Sequence, residues 1–128
     1  MNVVDSSGWI EYFTDGPNAV FFAGAIEDID ELLVPALTIY EVFKWISRER
    51  GETHAVKAVA HMQQGKVIDL DAKLAAYAAR LSLQTKLPMA DSIVHATAHV
   101  HEATLWTQDD DFAELKDVKY ITKKKSAK

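Results

Sequence analysis

Short apolar runs alternate along this chain with longer segments in which apolar residues recur every three to four positions. Asn2 to Val4 reads as a buried strand ending in Asp5, and Leu32 to Ala36 as a second strand interrupted near Pro35. Lys66 to Leu70, Ala103 to Trp106 and Val118 to Ile121 give three more. Between them lie helical patterns. Trp9, Tyr12 and Phe13 share one face of a helix that Ser6 or Ser7 can cap, and the turn Asp15 to Asn18 leads to a helix over 18–28. A longer helix runs from Thr38 to Arg50 and stops at Gly51, with Ile39, Val42, Phe43 and Ile46 on one face. Others follow at 53–64, from Asp71 as cap to Thr85, and at 89–101 after Pro88, and a short one comes after the stretch TQDDDF. Strands alternating with helices predict a three-layer α/β/α sandwich around a mostly parallel central sheet.

The chain of 128 residues has room for one sizeable core, assigned to 1–122, with a basic and disordered tail at 123–128. Its 48% hydrophobic and 26% charged residues are those of a soluble globular protein. No cysteine is present, which excludes a disulfide framework and thiolate metal sites. With neither a basic, apolar leader nor a membrane-length apolar run, the expected location is cytoplasmic, with no membrane partner. The net charge of −5 argues against a nucleic-acid partner unless some of the 19 acids surround divalent cations, which reverse the local sign.

Four acids fall where such cations would bind. Sites in open parallel sheets form beyond the carboxyl ends of the strands. Asp5 ends the first strand, and Asp109 follows a later one by a few residues. Glu41 and Asp91 sit in the first turns of the helices beginning at Thr38 and Met89. Each also has a plain structural role: Asp5 and Asp109 as caps, Thr38 and Glu41 as a capping box, and Asp91 as a charge on a helix dipole. Together on one rim they would repel, and hard cations such as Mg²⁺ or Mn²⁺ relieve that repulsion.

The segments VVDSSGWIEYF at 3–13, VPALTIYEVFKW at 34–45, LPMADSIVHATA at 87–98 and LWTQDDDFAEL at 105–115 resemble the sequence blocks of PIN-domain ribonucleases, and more narrowly of VapC-type toxins of toxin–antitoxin pairs. The resemblance implies an endoribonuclease that hydrolyses RNA phosphodiester bonds with two Mg²⁺ or Mn²⁺ ions, leaving 5′-phosphate and 3′-hydroxyl ends. It places the metal acids at Asp5, Glu41, Asp91 and Asp109, with Asp5 and Asp91 as the leading direct ligands. Ser6, Thr107 and Asp111 are candidates to hold those ligands or their waters, and Lys44 and Arg48, beside Trp45, are candidates for substrate contact. A cognate antitoxin and a homodimer are the implied protein partners. The aromatic stripe of Trp9, Tyr12 and Phe13 reads as core, with part of it a possible antitoxin groove. Within TQDDDF, Asp109 should face the acids, Asp110 solvent, and Asp111 should cap the short helix.

Other readings compete. A receiver-type phosphoacceptor domain shares the size and the Mg²⁺ dependence, and would use Asp5 together with Asp69. A zinc site at His95 and His99, four apart, lacks the glutamate and further ligands such sites use, and His101 adds no such pattern. A binding module with the acids as caps would show no thermal response to metal.

Overall fold

The computed structural model describes residues 1–125; Ser126, Ala127 and Lys128, the end of the expected tail, lie outside the described residues. The elements in chain order are β1 (Asn2–Val4), α1 (Ser6–Phe13), α2 (Ala19–Ile26), β2 (Leu32–Pro35), α3 (Ala36–Arg50), α4 (Glu52–Met62), β3 (Lys66–Ile68), α5 (Ala72–Thr85), α6 (Met89–Val100), β4 (Thr104–Thr107) and β5 (Val118–Tyr120). Two 3₁₀ turns, Ile29–Glu31 and Asp110–Phe112, complete the chain path.

All five strands are parallel and lie in the order β3-β2-β1-β4-β5. Alternate residues of each strand feed opposite cores, as the pleat requires. Val4, Leu32 and Val34 pack with Trp9, Phe22, Val42 and Met62 beneath α1 to α4. Val3, Leu33 and Leu105 pack with Val94, Ala98 and Phe112 beneath α6, and α5 docks on α6 through Leu74, Ala78 and Ala96. The result is the expected α/β/α sandwich. No helix is long and apolar enough to cross a membrane among the described residues.

This strand order has a direct consequence for function. The chain leaves β1 in one direction toward β2 and β3, then returns to place β4 on the other side of β1. The reversal lies between β1 and β4, and the crevice beyond their carboxyl ends is where such sheets place ligands. A receiver domain of the flavodoxin-like type has the order 2-1-3-4-5. Here Asp69 follows the edge strand β3, two strands from β1, so it cannot join Asp5 in a phosphoacceptor site.

Several boundaries differ from the sequence reading for local reasons. Helix α3 begins at Ala36, two residues early, because Pro35 takes the cap position with φ −60° and ψ 132°. Thr38 then lies inside the first turn, donating its hydroxyl to Pro35 O at 2.7 Å, so no capping box with Glu41 forms. The cap of α1 is Asp5 rather than Ser6 or Ser7. Trp9 is fully buried, stacked on Phe13 at 5.6 Å, and Phe13 meets His61 of α4 edge-on at 5.5 Å. Trp9 is therefore core and offers no surface to a partner, while Tyr12 and Phe13 are half-buried against it.

Candidate active site

Asp5 leaves β1 with an extended backbone and turns its carboxylate back over the start of α1. Oδ1 accepts the Gly8 amide at 2.9 Å, the Ser7 hydroxyl reaches both oxygens at 2.9 and 3.0 Å, and Thr107 Oγ1 donates to Oδ2 at 2.6 Å. Three donors leave part of the lone-pair capacity of a carboxylate unused. The side chain is only 5% exposed. Only a glycine lets α1 sit this close, because a Cβ on Gly8 would come within 2.6 Å of Phe22 and 2.7 Å of Val4.

Thr107 closes β4 one residue later than the sequence pattern suggests and is fully buried. Its hydroxyl donates to Asp5 and accepts the Asp109 amide at 2.9 Å, so one side chain fixes the ends of both switch-point strands. Glu41, in the second turn of α3, is held from α1: Ser6 Oγ donates to Oε1 at 3.1 Å. The roles proposed for Ser6 and Thr107 as holders of acid side chains thus have a geometric basis.

Asp91 stands in the first turn of α6. One carboxylate oxygen each from Asp91, Asp109 and Asp111 lies within 4.8 Å of the others, the one such cluster among the described residues. Asp109 Oδ1 also accepts the Asp111 amide at 2.9 Å and caps the 3₁₀ turn Asp110–Phe112. Asp109 faces the acids as expected, and Asp110 is exposed as expected. The cap expected of Asp111 falls to Asp109 instead, and Asp111 joins the cluster with Asp91. Strand-like alternation would also send Asp109 and Asp111 to one side and Asp110 to the other, and the tight turn keeps that grouping while moving the cap from Asp111 to Asp109.

Burial pushes the Asp5 carboxyl up to about 6 against the lowering effect of its hydrogen bonds. Asp91 is also pushed up to about 6, first by burial and then by Asp109, Asp111, Asp5 and Glu41 in that order. Burial raises Glu41 as well, opposed by its bond from Ser6. The Asp91 carboxyl thus feels the other four acids. Among the described residues the ion pairs are Met1 with Glu31 and Arg48 with Glu49, so no basic side chain neutralises the five. An all-oxygen, acidic, uncompensated donor set suits a hard divalent cation such as Mg²⁺ or Mn²⁺.

The PIN-domain family model matches residues 3–118. The chain belongs to the PIN-domain family. Solved structures share this PIN fold over nearly the whole chain. A toxin–antitoxin complex from Klebsiella pneumoniae superposes with a TM-score of 0.77 at 22% identity, covering 93% of this chain and 96% of that one. VapC20 of Mycobacterium tuberculosis, described as a sarcin–ricin-loop-cleaving toxin, gives 0.77 at 15% identity, covering 91% and 95%. VapBC2 from Rickettsia felis, bound to a DNA fragment from its promoter, gives 0.70 at 13% identity, covering 94% and 97%. No curated protein matches the sequence.

Other residues singled out in the sequence make contacts of their own. Lys44 and Arg48 line a groove of about 620 Å³ with Ile39, Tyr40, Phe43 and Ser47, and Lys44 sits 5.7 Å from the Tyr40 ring centre. His99 Nδ1 meets the Tyr77 hydroxyl at 2.5 Å, His101 Nδ1 lies 2.9 Å from Thr97 O, and burial beside His99 lowers His95. Among the described residues neither His95 nor His99 joins a group of three metal donors.

A buried polar bracket escaped the sequence reading. Glu11 accepts the Asn18 amide at 2.6 Å, and Asn18 Nδ2 donates to Gln108 Oε1 at 2.9 Å and to Thr122 O at 3.1 Å. The bracket ties the loop after α1 to the loop carrying Asp109. Glu11 looks like solvated face within EYF and Asn18 like an ordinary turn residue, so neither carried a signal. Ser7 was weighed only as a cap, because its hydroxyl reaches Asp5 through the turn rather than through a sequence pattern.

Two predictions arise here. Glu41→Gln keeps an acceptor for Ser6 while removing the charge. It should alter stability by no more than about 1 kcal/mol. Cleavage should nevertheless fall at least about tenfold. Wild-type rates in this variant would reduce Glu41 to a structural acceptor. The second concerns pH. Asp5 and Asp91 titrate higher in the folded chain than at their ordinary value of 3.8. Their protonated forms favour the fold, a contribution complete below pH 3.8 and lost as pH rises through about 6. A bound cation restores that loss. The rise in melting temperature on adding Mn²⁺ to chelator-treated protein should therefore be larger at about pH 8 than at about pH 5. A rise independent of pH would separate metal binding from these two carboxyls.

Proposed function

We propose that this PIN domain is a Mg²⁺- or Mn²⁺-dependent endoribonuclease and the toxin of a toxin–antitoxin pair. The observation carrying the reading is the convergence of Asp5, Glu41, Asp91, Asp109 and Asp111 on one rim with no basic partner among the described residues. Asp91, Asp109 and Asp111 would hold one cation; Asp5, held by Thr107, and Glu41, held by Ser6, would hold a second or orient its waters. When bound, divalent ions supply charge stabilisation at a phosphodiester and lower the pKa of a coordinated water.

The chain's own residues do the positioning. Thr107 sets the distance between Asp5 and the Asp109 loop, the Gly8 amide and Ser7 fix the rotamer of Asp5, and the 3₁₀ turn brings Asp111 back toward Asp91. Such preorganisation is what metal-assisted hydrolysis asks of a protein. Fold similarity to toxin–antitoxin complexes supports an antitoxin partner, and similarity to VapC20 supports an exposed RNA loop as target. The homodimer rests on the sequence resemblance alone.

The test is the chemistry of the cut ends. Cleavage through an activated water should leave 5′-phosphate and 3′-hydroxyl ends on RNA. Products ending in cyclic phosphate would mean that the RNA's own 2′-hydroxyl attacks, and the proposed role of the acids would fail.

A further inference from the structure

A groove of about 830 Å³ adjoins the acid rim through Ser7, which bonds Asp5, and Gln108, which lies between Thr107 and Asp109. Its lining includes Trp45 and Arg50 of α3 together with Lys123 and Lys124. Those lysines follow a pinned point. The Ile121 amide donates to Thr107 O at 3.1 Å, and Thr122 O accepts Asn18 Nδ2 at 3.1 Å. The chain end is thus strapped to the strand bearing the site, and the two lysines leave the strap directly into the groove. Arg50, Lys123 and Lys124 are exposed, and Trp45 is half-buried. Of the groove's two acids, Glu11 is buried and engaged by Asn18, so the one exposed acid, Asp15, stands against three exposed cations. A cationic channel with an aromatic face, opening onto uncompensated carboxylates, matches a charged strand of stackable bases better than an acid-free peptide groove.

We propose that this groove seats the nucleotides flanking the scissile bond of single-stranded RNA, with Arg50, Lys123 and Lys124 on phosphates and Trp45 against a base. The proposal rests on the ribonuclease reading and adds the substrate's path. Asn18 acts as a positioning residue, holding both the strap and the Gln108 loop.

The test compares wild type with Arg50→Ala/Lys123→Ala/Lys124→Ala on a short, mixed-sequence, fluorescein-labelled single-stranded RNA in Mn²⁺. All three positions are exposed, and unchanged melting temperature checks the fold. KM should rise about tenfold with kcat within about twofold, and the log–log salt slope of RNA binding should fall by about 2, from three phosphate contacts at roughly 0.7 each. The charge-retaining Arg50→Lys/Lys123→Arg/Lys124→Arg should keep wild-type values, and Trp45→Phe should lose RNA-induced quenching of tryptophan fluorescence. If the alanine variant cleaves with wild-type KM and salt slope, the groove is off the substrate path and the proposal falls alone. If KM holds but inhibition by the antitoxin is lost, the groove is a protein-docking surface and the proposal is likewise overturned. A wild-type protein that cleaves no RNA in Mn²⁺ removes the ribonuclease reading and this proposal with it.

Discussion

Asp91→Asn is expected to abolish RNA cleavage while leaving the metal-free protein as stable as wild type, or more so. The carboxyl of Asp91 is raised to about 6 by burial and by Asp109, Asp111, Asp5 and Glu41. Among the described residues no hydrogen bond to Asp91 repays that cost, unlike the three donors on Asp5. Above its pKa, in chelator, the Asp91 charge works against the fold. An amide of the same shape removes the repulsion, at the loss of a helix-dipole interaction worth about 0.3–1 kcal/mol. The same change removes one of the three oxygens clustered within 4.8 Å, so cleavage should fall on the order of a hundredfold or more. Scanning fluorimetry with and without Mn²⁺ reads both sides. The variant should melt a few degrees higher than wild type in EDTA and lose most of the rise on adding Mn²⁺. A variant that is markedly destabilised in EDTA would make Asp91 a structural residue.

The three aspartates of TQDDDF should separate sharply in one assay. Asp109→Asn removes a charge from the cluster but keeps an oxygen able to cap the Asp111 amide, so most cleavage should be lost with little change in melting temperature. Asp111→Asn should also cost at least about tenfold in rate, because its carboxylate faces Asp91 rather than capping the turn. Asp110→Asn should be silent in both readouts, since its exposed side chain belongs to neither the cap nor the cluster. Rates for the three variants on one RNA decide the matter. A dead Asp110→Asn would place the wrong face of the turn toward the acids, and three active variants would make the run a solvated loop.

Much of this was legible in the chain because strand ends are punctuated locally. Asp5 after Val4 and Asp91 after Pro88 sit where an apolar run or a proline fixes the boundary, so their place on the rim followed from pattern alone. Glu41 was placed on the right helix for an incomplete reason. The capping-box spacing from Thr38 was real, but Pro35 restrains Val34 to extended backbone and opens the helix two residues earlier, freeing Glu41 to face Ser6. The Asp111 side chain was misassigned because a 3₁₀ turn, set by the Asp109 cap, leaves no periodic trace in three residues. Glu11, Asn18 and Gln108 were invisible for a different reason: their partners are 7 to 104 residues apart, and a buried polar bracket has no local signature.

The central claim is that the acid rim of this PIN domain cleaves RNA only with divalent cations. It is tested most directly by incubating purified wild type with single-stranded RNA in EDTA, then adding excess Mn²⁺, beside Asp91→Asn purified identically. The account predicts no cleavage in EDTA, cleavage by wild type once Mn²⁺ is added, and none by the variant. Cleavage that persists in EDTA, or that is equal in the two proteins, would contradict it.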